Sequence, residues 1–269
     1  MASGDWSSVL GGNVVRATGK WSTAIGGGGN LASGEAAVVV GGGSFGGGLA
    51  GNTASSTSSF VGAGYGNTAN GYCSTVVGGT GNVASNNFSF VGGGAGNSAN
   101  TAGTAILGGY SGTTRSIEGM QVMPACIQPI TTTQGASQAA LLILGRQTTD
   151  ATATVLTSNT GVASTNNQII LPNNSAYYFK GSVIANVTGA ANGAAWDFTG
   201  AIMRGANAAS TVLIGTPAIN RVAATAGATA WVIALTADTT NGGLAVTVTG
   251  AASTTIRWVC KAETTEVTF

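Results

Sequence analysis

The sequence has no histidine, so the most common general base and the most common metal ligand are both missing. Charge is nearly missing as well. Asp, Glu, Lys and Arg make up 6% of 269 residues, against roughly a quarter in ordinary soluble domains. That excludes a charge-solvated disordered chain, and it excludes a coiled coil, whose flanking positions need charges. No run reaches the roughly 18 consecutive apolar residues of a membrane helix. The opening MASGDWSSVL has neither the basic start nor the apolar core of a signal peptide, so no membrane insertion is expected. The net charge is +1 with no basic cluster along the chain, which leaves no electrostatic footprint for nucleic acid. Cys73, Cys126 and Cys260 are odd in number and far apart, without disulfide or zinc spacing. They read as small reduced thiols, and neither a metal nor a cofactor is expected.

Glycine is abundant, with 45 residues, and it recurs in a phrase such as Ser74-Thr75-Val76-Val77-Gly78-Gly79-Thr80-Gly81-Asn82-Val83-Ala84-Ser85. The period is 15. Asn52, Asn67, Asn82 and Asn97 keep that step, as do Ala54, Ala69, Ala84 and Ala99, and Ser59, Ser74, Ser89 and Thr104. Upstream, Ser7, Ser22 and Ala37 follow it too. Asn30 to Asn52 is 22, so seven extra residues enter at the glycine run Gly41–Gly48, which reads as a loop.

A period this short predicts a solenoid with one coil per repeat. Each coil holds a small apolar strand, a Gly-Gly turn and a second strand of the form Asn-x-Ala, with the glycines supplying positive φ. Like residues then stack at about 4.8 Å, and the asparagine amides are expected to bond one another along their column. A coil with mostly Ala and Gly inside buries little apolar area, at about 25 cal/mol per Å². From Ala36 to Thr114 there is no charged residue. Both features predict that sister chains cover the apolar column, most simply in a homotrimer.

The phrases Ser22-Thr23-Ala24-Ile25-Gly26 and Ala32-Ser33-Gly34 resemble the head repeat of YadA-type trimeric autotransporter adhesins. That resemblance spans about residues 7–110 and implies a left-handed parallel β-roll of three chains.

After Gly112 the texture changes. Residues 113–150 read as a connector with a strand at Ala140–Leu144. Residues 151–269 read as eight short strands: Ala153–Thr157, Gln168–Leu171, Ala176–Asn186, Ala195–Met203, Thr211–Ile214, Ala228–Leu235, Leu244–Thr249 and Thr254–Lys261. Several alternate with period two. Ile256, Trp258 and Cys260 oppose Arg257 and Lys261, and Trp196, Phe198 and Ile202 oppose Asp197 and Thr199. The expected fold is all-β: a repeat shaft over residues 1–112 followed by an antiparallel, jelly-roll-like β-sandwich tip, the whole trimeric.

The phrases Ile169-Ile170-Leu171-Pro172-Asn173-Asn174-Ser175-Ala176-Tyr177, Trp231–Thr239 and Val246–Gly250 leading to Ile256-Arg257-Trp258 resemble the C-terminal domains of bacteriophage tail fibres. The resemblance implies a virion-located homotrimeric fibre, assembled in the host cytoplasm. Its partners would be other virion tail proteins and a bacterial surface polysaccharide or protein receptor. The alternatives are a cell-surface trimeric adhesin and a purely structural virion fibre or decoration protein.

Receptor contacts are expected in loops that flank the strands, at Arg204, Asn207, Asp238 and Asn241. Catalytic chemistry is not expected. A glycan hydrolase needs two carboxylates facing each other, yet Glu263 and Glu266 point to opposite faces of a strand, and nothing in the sequence joins Asp197 to Asp238. No serine has a histidine partner and no phosphate loop occurs, so the sequence reads as a non-enzyme.

Overall fold

Two columns of short parallel strands build the first part of the chain. The computed structural model describes residues 1–43 and 51–269, so most of the glycine run read as a loop, from residue 44 onward, lies outside the described residues. One column comprises β1 (Ser8–Leu10), β3 (Thr23–Ile25), β5 (Val38–Val40), β7 (Phe60–Val61), β9 (Thr75–Val76), β11 (Phe90–Val91) and β13 (Ala105–Ile106). The other comprises β2 (Arg16–Ala17), β4 (Leu31–Ala32), β6 (Thr53–Ala54), β8 (Thr68–Ala69), β10 (Val83–Ala84) and β12 (Ser98–Ala99). The pairing steps by 15, as in Val61 to Val76 and Ala69 to Ala84, and by 22 at Val39 to Val61. The result is a β-solenoid of seven coils.

Its core is a stack of small residues. Val39, Val61, Val76, Val91 and Ile106 form one buried column, and Ala32, Ala54, Ala69, Ala84 and Ala99 form another. Burying one such Val contributes about 1.5–3 kcal/mol per coil and the alanine adds less, so the buried polar columns must also be fully hydrogen-bonded. They are, by a route different from the one expected. Each asparagine Oδ1 accepts the backbone N–H of the next asparagine: Asn30 from Asn52 at 2.9 Å, then Asn52 from Asn67, Asn67 from Asn82 and Asn82 from Asn97, each at 3.0 Å. The Nδ2 groups donate to turn carbonyls, as Asn67 does to Ala63 and Gly79. Side chain to backbone wins because the amide hydrogens face turn carbonyls, of which Gly79 O also accepts the Tyr65 amide at 2.9 Å, and buried carbonyls are satisfied wherever a donor reaches them.

The two turns of a coil differ. At Gly79 φ is +89°, and a Cβ there would lie 2.1 Å from the Gly94 carbonyl oxygen, so only glycine fits between coils. The opposite turn uses ordinary residues in the left-handed region. Trp6, Trp21, Ala36, Ser58, Cys73 and Phe88 share φ between 51° and 57°. From Trp21 onward their amides hold the conformation by donating to the preceding coil, as Ala36 does to Lys20 and Ser58 to Glu35, both at 2.8 Å.

The residues Met120–Pro124, read from the sequence as the end of the repeats, contain β14 (Gln121–Pro124). It pairs with β13 in parallel, Ile106 opposite Val122. That step is 16, and the single extra residue hides the strand from a 15-residue periodicity.

The chain divides into Met1–Gln138 and Ala139–Phe269. The remaining strands are β15 (Ser137–Thr148), β16 (Thr154–Val155), β17 (Ile169–Ile170), β18 (Ser175–Val187), β19 (Gly193–Arg204), β20 (Val212–Leu213), β21 (Ala218–Ala224), β22 (Val232–Asp238), β23 (Gly243–Thr249) and β24 (Ile256–Thr268). All defined pairings among β16 to β24 are antiparallel. β21 has no counterpart in the sequence reading; its two large apolar residues, Ile219 and Val222, stand three apart and so break the period-two pattern, and all seven residues are exposed.

The expected separate β-sandwich tip is corrected. The hydrogen-bonded strand order passes from β13 through β14, β15, β24, β18 and β19 to β20 as one 14-stranded sheet with β21 beside β19. A smaller sheet holds β16, β23, β17 and β22. Period-two alternation records which face of a strand is buried, not which strand it pairs with. Strands that extend an existing sheet therefore look like those of a separate domain.

Candidate functional site

Three long neighbours, β19, β18 and β24, form the most regular surface of the second unit. Ser175 to Asn186 pair with Arg204 to Gly193, and Ser175 to Val187 pair with Thr268 to Ile256. The inward residues pack a dense aromatic core. Trp196 stacks on Trp258 at 5.8 Å, and Trp231 meets Trp258 at 5.7 Å. Two glycines admit rings: a Cβ on Gly181 would lie 2.4 Å from Phe198, and one on Gly200 2.6 Å from Phe179. Such packing fixes the backbone, and with it the positions of the side chains on the other face.

That other face is polar. On β18 it carries Tyr178, Lys180, Ser182 and Ile184; on β24, Arg257, Val259, Lys261, Glu263 and Thr265; on β19, Asp197 and Thr199. Register puts Lys180 opposite Glu263, and Ser182 opposite both Lys261 and Asp197. Glu263 bridges two lysines, at 2.7 Å to Lys261 and 3.0 Å to Lys180. Its carboxyl is held below the usual range by Lys261 and then by Lys180. Lys180 is raised in turn by Glu263. Thr199 Oγ1 donates to the Tyr178 hydroxyl at 3.0 Å.

These residues border a cleft of about 310 Å³ lined by Lys180, Ser182, Asp197, Lys261 and Glu263. A second groove of about 480 Å³ is lined by Arg146, Gln147, Asn159, Thr160, Arg257 and Val259, among others. Ammonium, guanidinium, hydroxyl, amide and carboxylate groups thus stand on rigid strands in open, shallow depressions. This donor and acceptor set suits a hydroxyl-rich polymer. Glu263, kept ionised between two ammonium groups, acts there as an acceptor rather than a proton donor. Among the described residues no group of three or more His, Cys, Asp or Glu side chains gathers.

The four expected contact residues lie at a different place, a corner beside the β22–β23 turn. Asp238 Oδ1 accepts the amides of Thr240 (3.0 Å) and Asn241 (2.9 Å), and its Oδ2 accepts Asn241 Nδ2 (2.7 Å) and Gln168 Nε2 (3.1 Å). Burial alone would raise this carboxyl. The bonds from Asn241, Gln168 and Thr240 outweigh it, and the net direction is down. Arg204 Nη1 donates to Leu171 O at 2.6 Å. Asn207 caps the short 3-10 turn Ala208–Ser210, accepting the Ser210 amide at 3.1 Å. Asp238 thus spends its carboxylate, and Arg204 its Nη1, on holding chain segments together, while Arg204 Nε is buried without a hydrogen-bond partner among the described residues.

Asp197 does not meet Asp238. It lines the cleft with Glu263 instead, while Glu266, on the opposite face, is buried and accepts Thr264 Oγ1 at 2.7 Å. The signal for the outward face lies in the alternation of Arg257 and Lys261 with Ile256, Trp258 and Cys260.

No protein-family model and no curated protein matches the chain. Among solved structures it is similar to the tailspike protein gp49 of the Acinetobacter baumannii bacteriophage Fri1, a capsular polysaccharide depolymerase. Identity is 14% and the TM-score 0.30, over 93% of this chain and 47% of that one. It is also similar to the tailspike protein of Acinetobacter baumannii phage AM24, at 8% identity and a TM-score of 0.26, over 98% of this chain and 54% of that one. The chain therefore spans about half the length of the solved structures it matches. The exclusion of an enzyme drawn from the sequence is corrected against this finding, because one of the two is itself an enzyme. Missing histidine and unpaired carboxylates in a linear sequence do not settle what distant strands bring together.

Proposed function

We propose that the chain is a fibre or tailspike component of a bacteriophage virion that binds a polysaccharide of the bacterial surface. The observation that carries the reading is the outward face of β19, β18 and β24: hydroxyl, amide and charged side chains held on strands whose opposite face is a packed aromatic core. The seven-coil solenoid supports it, since repeats of this kind build stiff stalks. So do the tail-fibre phrases of the second half and the tailspikes named above, which share the virion setting.

The finer reading is a homotrimer with residues 1–112 as its shaft. The outer face of the first strand column is uncharged and partly apolar, with Leu10, Val40, Val77 and Leu107 exposed along it. Three copies facing one another would cover that stripe, and three weak sugar contacts would act together by avidity. Light scattering tests the assembly: the expected mass is about 78 kDa, three times the 26.0 kDa chain, and a stable monomer overturns the trimer.

Binding of the purified protein to encapsulated bacteria and to their extracted polysaccharide tests the function. Saturable binding, lost when the capsule is stripped, is expected. Binding to neither sinks the proposal. Reducing ends released from the same polysaccharide would report cleavage in the same tube.

A further inference from the structure

We infer that the groove between Arg146 and Arg257 takes the acidic groups of an anionic polysaccharide, an inference that rests on the polysaccharide-binding reading of the same sheet face. Two guanidinium groups border this groove of about 480 Å³, and no carboxylate is among its lining residues. Arg146 is held in place, Nη1 donating to Thr160 O at 2.8 Å and Nη2 to Gly161 O at 2.5 Å. Arg257 is held by one bond, from Nε to Gln147 Oε1 at 3.1 Å. Among the described residues neither terminal nitrogen of Arg257 has a hydrogen-bond acceptor, which leaves both to donate.

A planar guanidinium with two such donors matches the paired oxygens of a carboxylate or a phosphate. Gln147, with Oε1 engaged by Arg257, keeps its Nε2 as a further donor. Beside them, Val259 pairs across the strands with Ile184, and the two are 47% and 55% exposed. They form an apolar step against which the C–H face of a sugar ring can rest.

The charge along the face is uneven. Lys180 and Lys261 are both engaged by Glu263, and Asp197 lines the same cleft, so two carboxylates offset two ammonium groups there and the uncompensated positive charge lies at the arginine end. From Arg257 to Glu263 the outward residues of β24 extend about 20 Å at the rise of a strand. That length suits several units of a polymer rather than one small anion. Nucleic acid fits less well, because neither depression is lined by an exposed stacking aromatic side chain.

The test uses the full chain and three immobilised probes: oligogalacturonate for carboxylate, poly(glycerol phosphate) for phosphodiester, and maltoheptaose as a neutral control. At least one acidic probe should bind tenfold or more tightly than maltoheptaose and weaken with added salt, and the preferred probe identifies the source of the oxyanion. R257Q should weaken that binding about tenfold at an unchanged melting temperature. R257K, which keeps the charge but not the fork, should lose part of it, and K20Q on the solenoid should lose none. Equal binding of all three probes overturns the inference, as does acidic binding that R257Q leaves intact. If encapsulated cells are bound but neither acidic probe is, the inference falls and the broader polysaccharide reading stands. If cells are not bound either, both fall.

Discussion

The side-chain oxygen of Asn67 accepts the backbone N–H of Asn82 at 3.0 Å, one coil further along the chain. Both side chains are fully buried. The same amide donates to Ala63 O and Gly79 O at 2.9 Å. A single side chain therefore bonds three backbone groups in two successive coils, and a thin core of valine and alanine could not leave the Asn82 N–H and the Ala63 carbonyl unpaired.

Asn67→Ala should be costly out of proportion to its size. It strips the side-chain partner from the buried Asn82 N–H and from the Ala63 carbonyl, at roughly 1–3 kcal/mol for each group left unsatisfied, while Gly79 O keeps the Tyr65 amide at 2.9 Å. A total of about 3 kcal/mol is expected in a denaturant titration. A loss below about 1 kcal/mol would mean that water replaces the amide.

Two glycines of one coil should respond differently to alanine. Gly79 and Gly81 both have positive φ, but the added methyl meets Gly94 O at 2.1 Å in the first case and nothing within 4 Å in the second. Gly81→Ala carries only the left-handed penalty of about 1–2 kcal/mol. Gly79→Ala adds a steric clash between coils, so its melting temperature should fall well below that of Gly81→Ala. Equal values would refute the close approach of the coils.

The Lys261–Glu263–Lys180 bridge predicts a pH signature. The carboxyl of Glu263 is lowered from its ordinary 4.5, so its contribution is complete above that value and fades as pH falls through the folded pKa. Lys180 is raised from 10.5, so its share is complete below that pH and fades as pH climbs through its folded pKa. E263Q should flatten both flanks of a melting-temperature profile and remove part of its salt dependence. The amplitude should be small because the bridge is solvent-exposed.

The three thiols should label in a fixed order. Cys126 is exposed, Cys73 half-buried and Cys260 buried, and burial pushes the Cys260 thiol up to about 12. A maleimide at neutral pH should modify Cys126 first and leave Cys260 untouched until the protein is denatured. Early labelling of Cys260, read by peptide mass, would contradict the packing around Trp258 and Val183.

Much of the solenoid could be read directly. A 15-residue step in Asn, Ala and Ser names which residues stack, and the glycines mark the turns. β14 escaped because one inserted residue moves the step to 16. The asparagine column bonds to backbone rather than side chain to side chain, a difference hidden in the sequence, which gives the spacing of the amides but not the carbonyls that face them. In the second half, alternation located most strands and their buried faces.

Local geometry is written in the order of residues: coil length, turn positions, and the inward and outward residues of each strand. These follow from periodicity and from the positive φ that glycine permits. The partnerships come from the packed fold. It extended one sheet from β13 through β14 to β20, gathered Asp238, Asn241 and Gln168 into a corner, and set Lys180, Lys261 and Glu263 in one cleft with Arg257 on the same face. Those residues lie up to about 80 positions apart. Strand pairing between distant segments is fixed by the packing of the whole core, which no local pattern encodes.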